Sequence, residues 1–252
     1  IFSFVFKNTA YFIMKEGYVY KLVGGIGKGV VKIFAWLVEL VDGKIVFANT
    51  NFIRGLAELE AGYAQVLSEL NWILNNKQIP GIDEFFSEQE RIAKNKSWKS
   101  FPLFVYGIEF MDNTSVCPNT KQLLLGIEGF SSAMFSILSA NQEIPPHKGP
   151  YKGVLRVHLG LIVPPQEAGA CYLIVDGEKR TWEMGRTVVF DDTHMHSAHN
   201  SSNMDRIVLF IDIIRPLPWP LNRINEILFN LISSSLFITD TVKKFEKFGN
   251  LE

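Results

Sequence analysis

The chain has 252 residues, 47% hydrophobic and 20% charged, enough to bury a sizeable core in one large domain or two small ones. A net charge of −1 excludes the general basic field that gathers nucleic acid. Two cysteines, Cys117 and Cys171, are too few for a disulfide scaffold or a thiolate zinc site and read as free, partly buried thiols.

The first fifty residues are apolar and contain glycine, without a clear period. "IFSFVFKNTAYFIM" and "VVKIFAWLVELV" are interrupted by single lysines or short polar groups, so no complete transmembrane helix is expected. Because the sequence starts at Ile1 rather than Met, an upstream segment or anchor is left open. "GGIGKG" resembles a phosphate loop but lacks the Gly-x-x-x-x-Gly-Lys-Ser/Thr spacing, and Val30 stands where a hydroxyl is needed; no nucleotide site is assigned. Residues 54–74, "RGLAELEAGYAQVLSELNWIL", predict one amphipathic helix with Leu56, Leu59, Tyr63, Val66, Leu67 and Leu70 on one side. Pro80 and Gly81 end it.

From about Phe101 the texture changes to short β-rich runs: "LFVYGIEF", "AMFSILS", "VLRVHLGLIV", "CYLIVDG", "TVVFDD" and "RIVLFIDII", each bounded by turn residues. Strands this close together, without long helices between them, predict an antiparallel sandwich or barrel. After "RPLPWP", the segment "INEILFNLISSSLFI" has Ile224, Leu228, Leu231 and Ile232 at helical spacing. The expected organisation is a helical, apolar N-terminal region over 1–100, packing on or anchoring the barrel, then a β-domain over 101–216 and a helical tail over 217–252. The apolar ends read first as core packing, and second as an interfacial helix or trimmed membrane anchor.

All five histidines, His147, His158, His194, His196 and His199, fall in about a fifth of the chain. Alternation in "VLRVHLGL" puts Arg156 and His158 on one strand face, and Leu155, Val157 and Leu159 on the other. Two such polar groups inside a small barrel are costly unless an anion or metal meets them. His194 and His196 share a face if extended, and Arg206 opens an almost wholly apolar run, where an acidic partner, from the protein or from a ligand, is expected. Barrel, separated histidine sites and inward arginines suggest a non-heme Fe(II) oxygenase using a 2-oxo acid, whose iron normally takes two histidines and one carboxylate. Here His147-Lys148-Gly149 places glycine where the carboxylate usually stands. Asp191 and Asp192 are read as a turn or hydrogen-bonding hub in preference to a third ligand, and Trp182 as core.

"PHKGPYKGVLRVHLGLIVP", "RTWEMGRTVVFDDTHMHSAHN" and "DRIVLFIDIIRP" resemble, in order and spacing, the aspartyl/asparaginyl β-hydroxylase family with its related lipid A acyl-chain hydroxylases. The resemblance covers roughly Trp98 to Pro216. It implies a mainly β fold with flanking helices, a double-stranded β-helix (jelly-roll, cupin-like) barrel. It implies His147 and His196 as the metal ligands and catalytic pair, with Fe(II), 2-oxoglutarate and O2 as cofactor and cosubstrates. Arg206 would then pair with the distal carboxylate of 2-oxoglutarate, while Ser136, Arg156 and His158 match positions that help hold it. One branch of the family likewise has His-x-Gly, so Gly149 fits it. The expected substrate is a small molecule, peptide or lipid, hydroxylated at the β-carbon of an Asp/Asn side chain or on an acyl chain. Halogenation at the carboxylate-free site and a non-catalytic metal- or ligand-binding barrel are the alternatives. The expected location is cytoplasmic, with peripheral membrane association through the apolar termini as the variant reading.

Overall fold

A computed structural model describes residues 17–84, 97–165 and 170–234. The expected apolar stretch over 1–14 and the helical tail beyond 234 lie outside the described residues. The chain divides into two compact units, 1–43 and 44–252. In the first, α1 (Gly17–Asp42) is a helix of 26 residues. Among the described residues no helix is long and apolar enough to cross a membrane.

The second unit contains α2 (Leu56–Ala61), α3 (Tyr63–Asn76), α4 (Met111–Ser115), α5 (Pro118–Leu125) and α6 (Leu221–Ser233) around eleven strands. The strands are β1 (Phe47–Ala48), β2 (Trp98–Val105), β3 (Ile108–Glu109), β4 (Phe130–Leu138), β5 (Gln142–His147) and β6 (Val154–Ile162). They continue with β7 (Cys171–Val175), β8 (Glu178–Arg180), β9 (Thr187–Phe190), β10 (His196–Asn200) and β11 (Arg206–Ile214). One sheet runs β1-β9-β6-β11-β4-β2-β3, the other β5-β10-β7-β8, and all pairings within them are antiparallel. From β4 to β11 successive strands cross between the sheets, except for the β7–β8 hairpin, so the eight wind as a jelly roll. The hairpin turn is Asp176-Gly177, both at positive φ (49° and 85°), the backbone a two-residue hairpin needs.

Period-two alternation divides the large sheet's two faces. Leu155, Val157, Leu159 and Leu161 of β6 join Ile207, Leu209, Ile211 and Ile213 of β11 in a core with Leu56 and Leu59 of α2 and Val66, Leu70 and Ile73 of α3. The opposite face meets the small sheet through Met134, Leu138, Val208 and Phe210 against Ile144, Leu173, Val175 and Ala198. Helices therefore cover one face of the large sheet, and the other is left for the interior between the sheets.

Two local expectations change. The helix expected over 54–74 is two, because glycine is a poor helix former and α2 stops at Gly62 before α3 begins. The C-terminal helix is present, but its phase differs: it buries Leu221, Asn225 and Phe229 and leaves Ile224 and Leu231 exposed. Asn225 sets that phase. It accepts from the Tyr151 hydroxyl at 2.6 Å and donates to the Gly153 carbonyl at 2.8 Å, so a polar residue is the helix's anchor.

Leu209 is fully buried on central strand β11. Leu209→Ala is expected to lower unfolding free energy by about 2–5 kcal/mol in chemical denaturation, with the same fold by circular dichroism.

Candidate active site

His147 ends β5 and His196 opens β10, and the two are directly paired across those strands. Their ring centroids lie 4.1 Å apart. Each ring is fixed by its own backbone: His147 Nδ1 lies 2.9 Å from the Pro145 carbonyl, and His196 Nδ1 lies 3.0 Å from the His194 carbonyl. A carbonyl only accepts, so each Nδ1 carries the proton and each Nε2 keeps its lone pair, the tautomer that metal-ligating histidines use. Burial pushes both imidazole pKa values down, that of His196 to about 3 with help from His147 and Arg156. Both rings are neutral near pH 7, as ligation requires.

Gly149, two residues after His147, faces Asp192. A Cβ at Gly149 would sit 2.1 Å from Asp192 Oδ2, so the Asp192 carboxylate occupies the space of the missing side chain. Gly149 N also donates to the Asp192 carbonyl at 2.7 Å. Burial pushes the Asp192 carboxyl up to about 6; Arg156 opposes this, while Asp212 and Asp191 add to it. Arg156 Nη1 reaches Asp192 Oδ2 at 2.9 Å, and its Nε and Nη2 donate to Asp212 at 2.9 and 3.2 Å. Burial works against the Arg156 charge, but the two carboxylates outweigh it and raise its pKa. Asp191, the other half of the pair, is the hub of a different cluster: it accepts from Thr193 and meets both Lys152 and Arg215. Burial disfavours its charge, yet Arg215, Thr193 and Lys152 together hold its pKa below the ordinary value.

Arg206, Val208, Phe210 and Asp212 share the inward face of β11. Asp212 lies opposite Arg156 and Phe210 opposite His158, so His158 falls between the two arginines. Six residues of strand put the Arg206 and Asp212 backbones about 20 Å apart. Arg206 is 1% exposed, and its guanidinium carbon lies 4.5 Å over the Trp182 ring. Its Nε and Nη1 have no hydrogen-bond partner, and burial pulls its pKa down to about 10. Trp182 Nε1 donates to His158 Nδ1 at 3.3 Å, which leaves the proton on the buried, unpartnered His158 Nε2. Burial, with Arg206, Arg156 and His196 behind it, drives the His158 pKa well down. Ser136 Oγ accepts from Trp98 Nε1 at 2.9 Å, leaving its own proton to donate. Three buried donor atoms without acceptors, on Arg206 and His158, create a demand for an anion at this end of the interior.

The residues named from sequence thus divide. His147 and His196 converge, Arg206 and His158 aim unanswered donors into the same interior, and Arg156 is engaged by two protein carboxylates. His194 serves His196 through its carbonyl, and His199 stacks on Tyr172 at 4.8 Å and meets Ser197 and Glu143. Among the described residues no group of three or more His, Cys, Asp and Glu side chains is placed to hold a metal; the imidazoles that meet are those of His147 and His196. Sequence reading missed Asp212, Trp98 and the part Trp182 plays. Only for Asp212 was there a signal, since it alternates in phase with Arg206.

The two sheets of the jelly roll thus enclose this pair of imidazoles and this buried guanidinium. The chain belongs to the aspartyl/asparaginyl β-hydroxylase family, whose model matches residues 60–216. It is 37% identical over 196 residues to an ornithine lipid ester-linked acyl 2-hydroxylase from Rhizobium tropici, covering 76% of this chain and 69% of that protein. It is 27% identical over 179 residues to the aspartyl/asparaginyl β-hydroxylase of Mus musculus, covering 65% of this chain but only 23% of that much longer protein. Among solved structures, a cupin domain of a transcriptional regulator from Enterobacter cloacae aligns with 48% of the chain at a TM-score of 0.31 and 20% identity.

Gly149→Ala is expected to destabilise the fold, because the new methyl and the Asp192 carboxylate need the same space. Combining it with Asp192→Ala should recover part of the loss, a coupling of about 0.5–3 kcal/mol in a double-mutant cycle read by thermal denaturation.

Proposed function

We propose that the chain is an Fe(II)- and 2-oxoglutarate-dependent dioxygenase that hydroxylates carbon 2 of an ester-linked acyl chain. The observation that carries this reading is the pairing of two features in one interior: imidazoles presenting free Nε2 lone pairs at one end, and buried cationic and imidazole donors without acceptors at the other. The donor set fits the group. Two neutral imidazoles suit a divalent iron, and a buried guanidinium suits a dicarboxylate's far end. When bound, iron and 2-oxoglutarate would supply oxygen activation, one oxygen atom entering the substrate and the other the succinate formed with CO2.

The chain's own residues have distinct tasks in this reading. His147 and His196 hold the metal through Nε2. Arg206 pairs with the distal carboxylate, with the His158 Nε2 proton and the Ser136 hydroxyl as further donors and Trp182 backing the guanidinium. Arg156 holds the Asp192 carboxylate against Gly149, two residues after His147. Met134, Leu138, Ile144 and Phe210 surround the site with apolar surface that excludes water.

The names of the relatives support one substrate fragment. Carbon 2 of an acyl ester and the β-carbon of Asp or Asn are both methylenes next to a carboxyl-derived carbonyl. The reaction centre is therefore a –CH2–C(=O)– unit, and its attachments are what differ between relatives. Identity and coverage favour the acyl ester here, with the Asp/Asn β-carbon as the second reading.

Succinate release from 2-oxoglutarate, with products identified by mass spectrometry, tests this against acyl-ester lipids, Asp/Asn peptides and free amino acids. A 2-hydroxyacyl product is expected. A product that incorporates chloride would mean halogenation, and no succinate with any substrate would mean a binding barrel. His147→Ala and His196→Ala should each abolish Fe(II) retention in equilibrium dialysis. Arg206→Ala should raise the KM for 2-oxoglutarate about ten- to a hundredfold with iron affinity nearly unchanged, as loss of charge-assisted hydrogen bonds predicts.

A further inference from the structure

Helix α1 exposes a row of large apolar side chains. Val30, Ile33, Trp36, Leu40 and Val41 are 43–63% exposed, and at 100° per residue Ile33, Trp36 and Leu40 fall within about 60° of one another. Lys32 and Glu39, both exposed, line the border of that face. Sequence charge is distributed unevenly: residues 1–42 hold Lys7, Lys15, Lys21, Lys28 and Lys32 against Glu16, Glu39 and Asp42, a modest basic excess in a chain whose net charge is −1. An amphipathic helix with an aromatic apolar face and a modest excess of lysine, long but not apolar enough to cross a membrane, is suited to lie in a bilayer interface.

From this we infer that the partner of α1 is the surface of an anionic lipid bilayer, with Ile33, Trp36 and Leu40 set among the headgroups. The excess of lysine selects this occupant over a second copy of the chain, whose equally basic segment would repel it. Helix α6, in the unit that bears the site, likewise exposes apolar side chains. Ile224, Ile227 and Leu231 form an exposed stripe, Trp219 is 80% exposed beside it, and the opposite face is fixed by Asn225. Its anchor residues, Tyr151 and Gly153, belong to the loop that follows His147, so the helix is fastened to the unit that carries the histidines while its apolar stripe faces outward. The inference deepens the acyl-ester reading, since such a substrate resides in a bilayer.

The test is flotation of the full chain with vesicles of phosphatidylcholine alone and of equal parts phosphatidylcholine and phosphatidylglycerol, at low and high salt. Binding to the anionic vesicles, weakened by salt, is expected. The paired substitution Trp36→Glu with Leu40→Glu should reduce vesicle partitioning about tenfold or more, and Ile227→Glu with Leu231→Glu should reduce it further. Thermal unfolding and Fe(II) retention should stay as in the unsubstituted chain in both variants. Equal partitioning of the variants and the unsubstituted chain, or equal binding to neutral and anionic vesicles, overturns the inference. So does a lipid-free dimer in sedimentation velocity that the α1 substitutions dissociate, which would assign the face to a second copy. Because flotation needs no turnover, vesicle binding without succinate release would sink the enzymatic reading and leave this one standing.

Discussion

The inward face of β11 constrains the rest of the site. Strand geometry allows one side chain in two to face the small sheet, and the available positions are Arg206, Val208, Phe210 and Asp212. Two are charged and stand at opposite ends; two are apolar and separate them. Asp212 claims Arg156 from the neighbouring strand, and Arg156 in turn claims Asp192. The Asp192 carboxylate then fills the space beside Gly149. At the other end Arg206 faces Trp182, and among the described residues it meets no carboxylate. One strand's alternation thus produces an end where charge is matched within the protein and an end that leaves a buried cation for a ligand to match.

Such an arrangement is expensive in isolation. A guanidinium in a low-dielectric interior without hydrogen bonds to Nε and Nη1 costs several kcal/mol relative to water. The surrounding structure carries that cost through rigid apolar packing on both faces of the large sheet. The same packing holds the histidine rings, whose Nδ1 protons go to carbonyls two residues earlier in each case. Both imidazoles are therefore preset by their own local backbone.

Much of this was legible from sequence because it depends on local periodicity. "VLRVHLGL" displays its two faces directly, and the strand runs bounded by turn residues lead to the jelly roll. The histidine pair was legible through motif resemblance, and its geometry then followed from strand pairing. What stayed hidden depends on register between distant segments. Nothing in the vicinity of Arg156 indicates that Asp212, 56 residues later, will be its direct neighbour. The glycine at 149 looked like a missing ligand; only the fold reveals that Asp192 fills its space. The phase of α6 was misjudged because hydrophobic periodicity ranks isoleucine above asparagine, while three buried hydrogen bonds to Asn225 decide otherwise.

The full occupation of the central strands has an evolutionary side. On β6 and β11 the outward positions belong to the helical core, and the inward ones to ion pairs, aromatic packing and the donors around His158 and Arg206. In the proposed reaction those positions serve the cosubstrate and the core, so recognition of what hangs from the reactive carbon falls to other elements. Selectivity must reside in pieces that can vary without disturbing those strands: the loop after His147, the short strand β5, and the helix that Asn225 fastens beside them. A lineage can thus exchange an amino-acid side chain for a fatty chain by remodelling the rim, and inherit the interior unchanged.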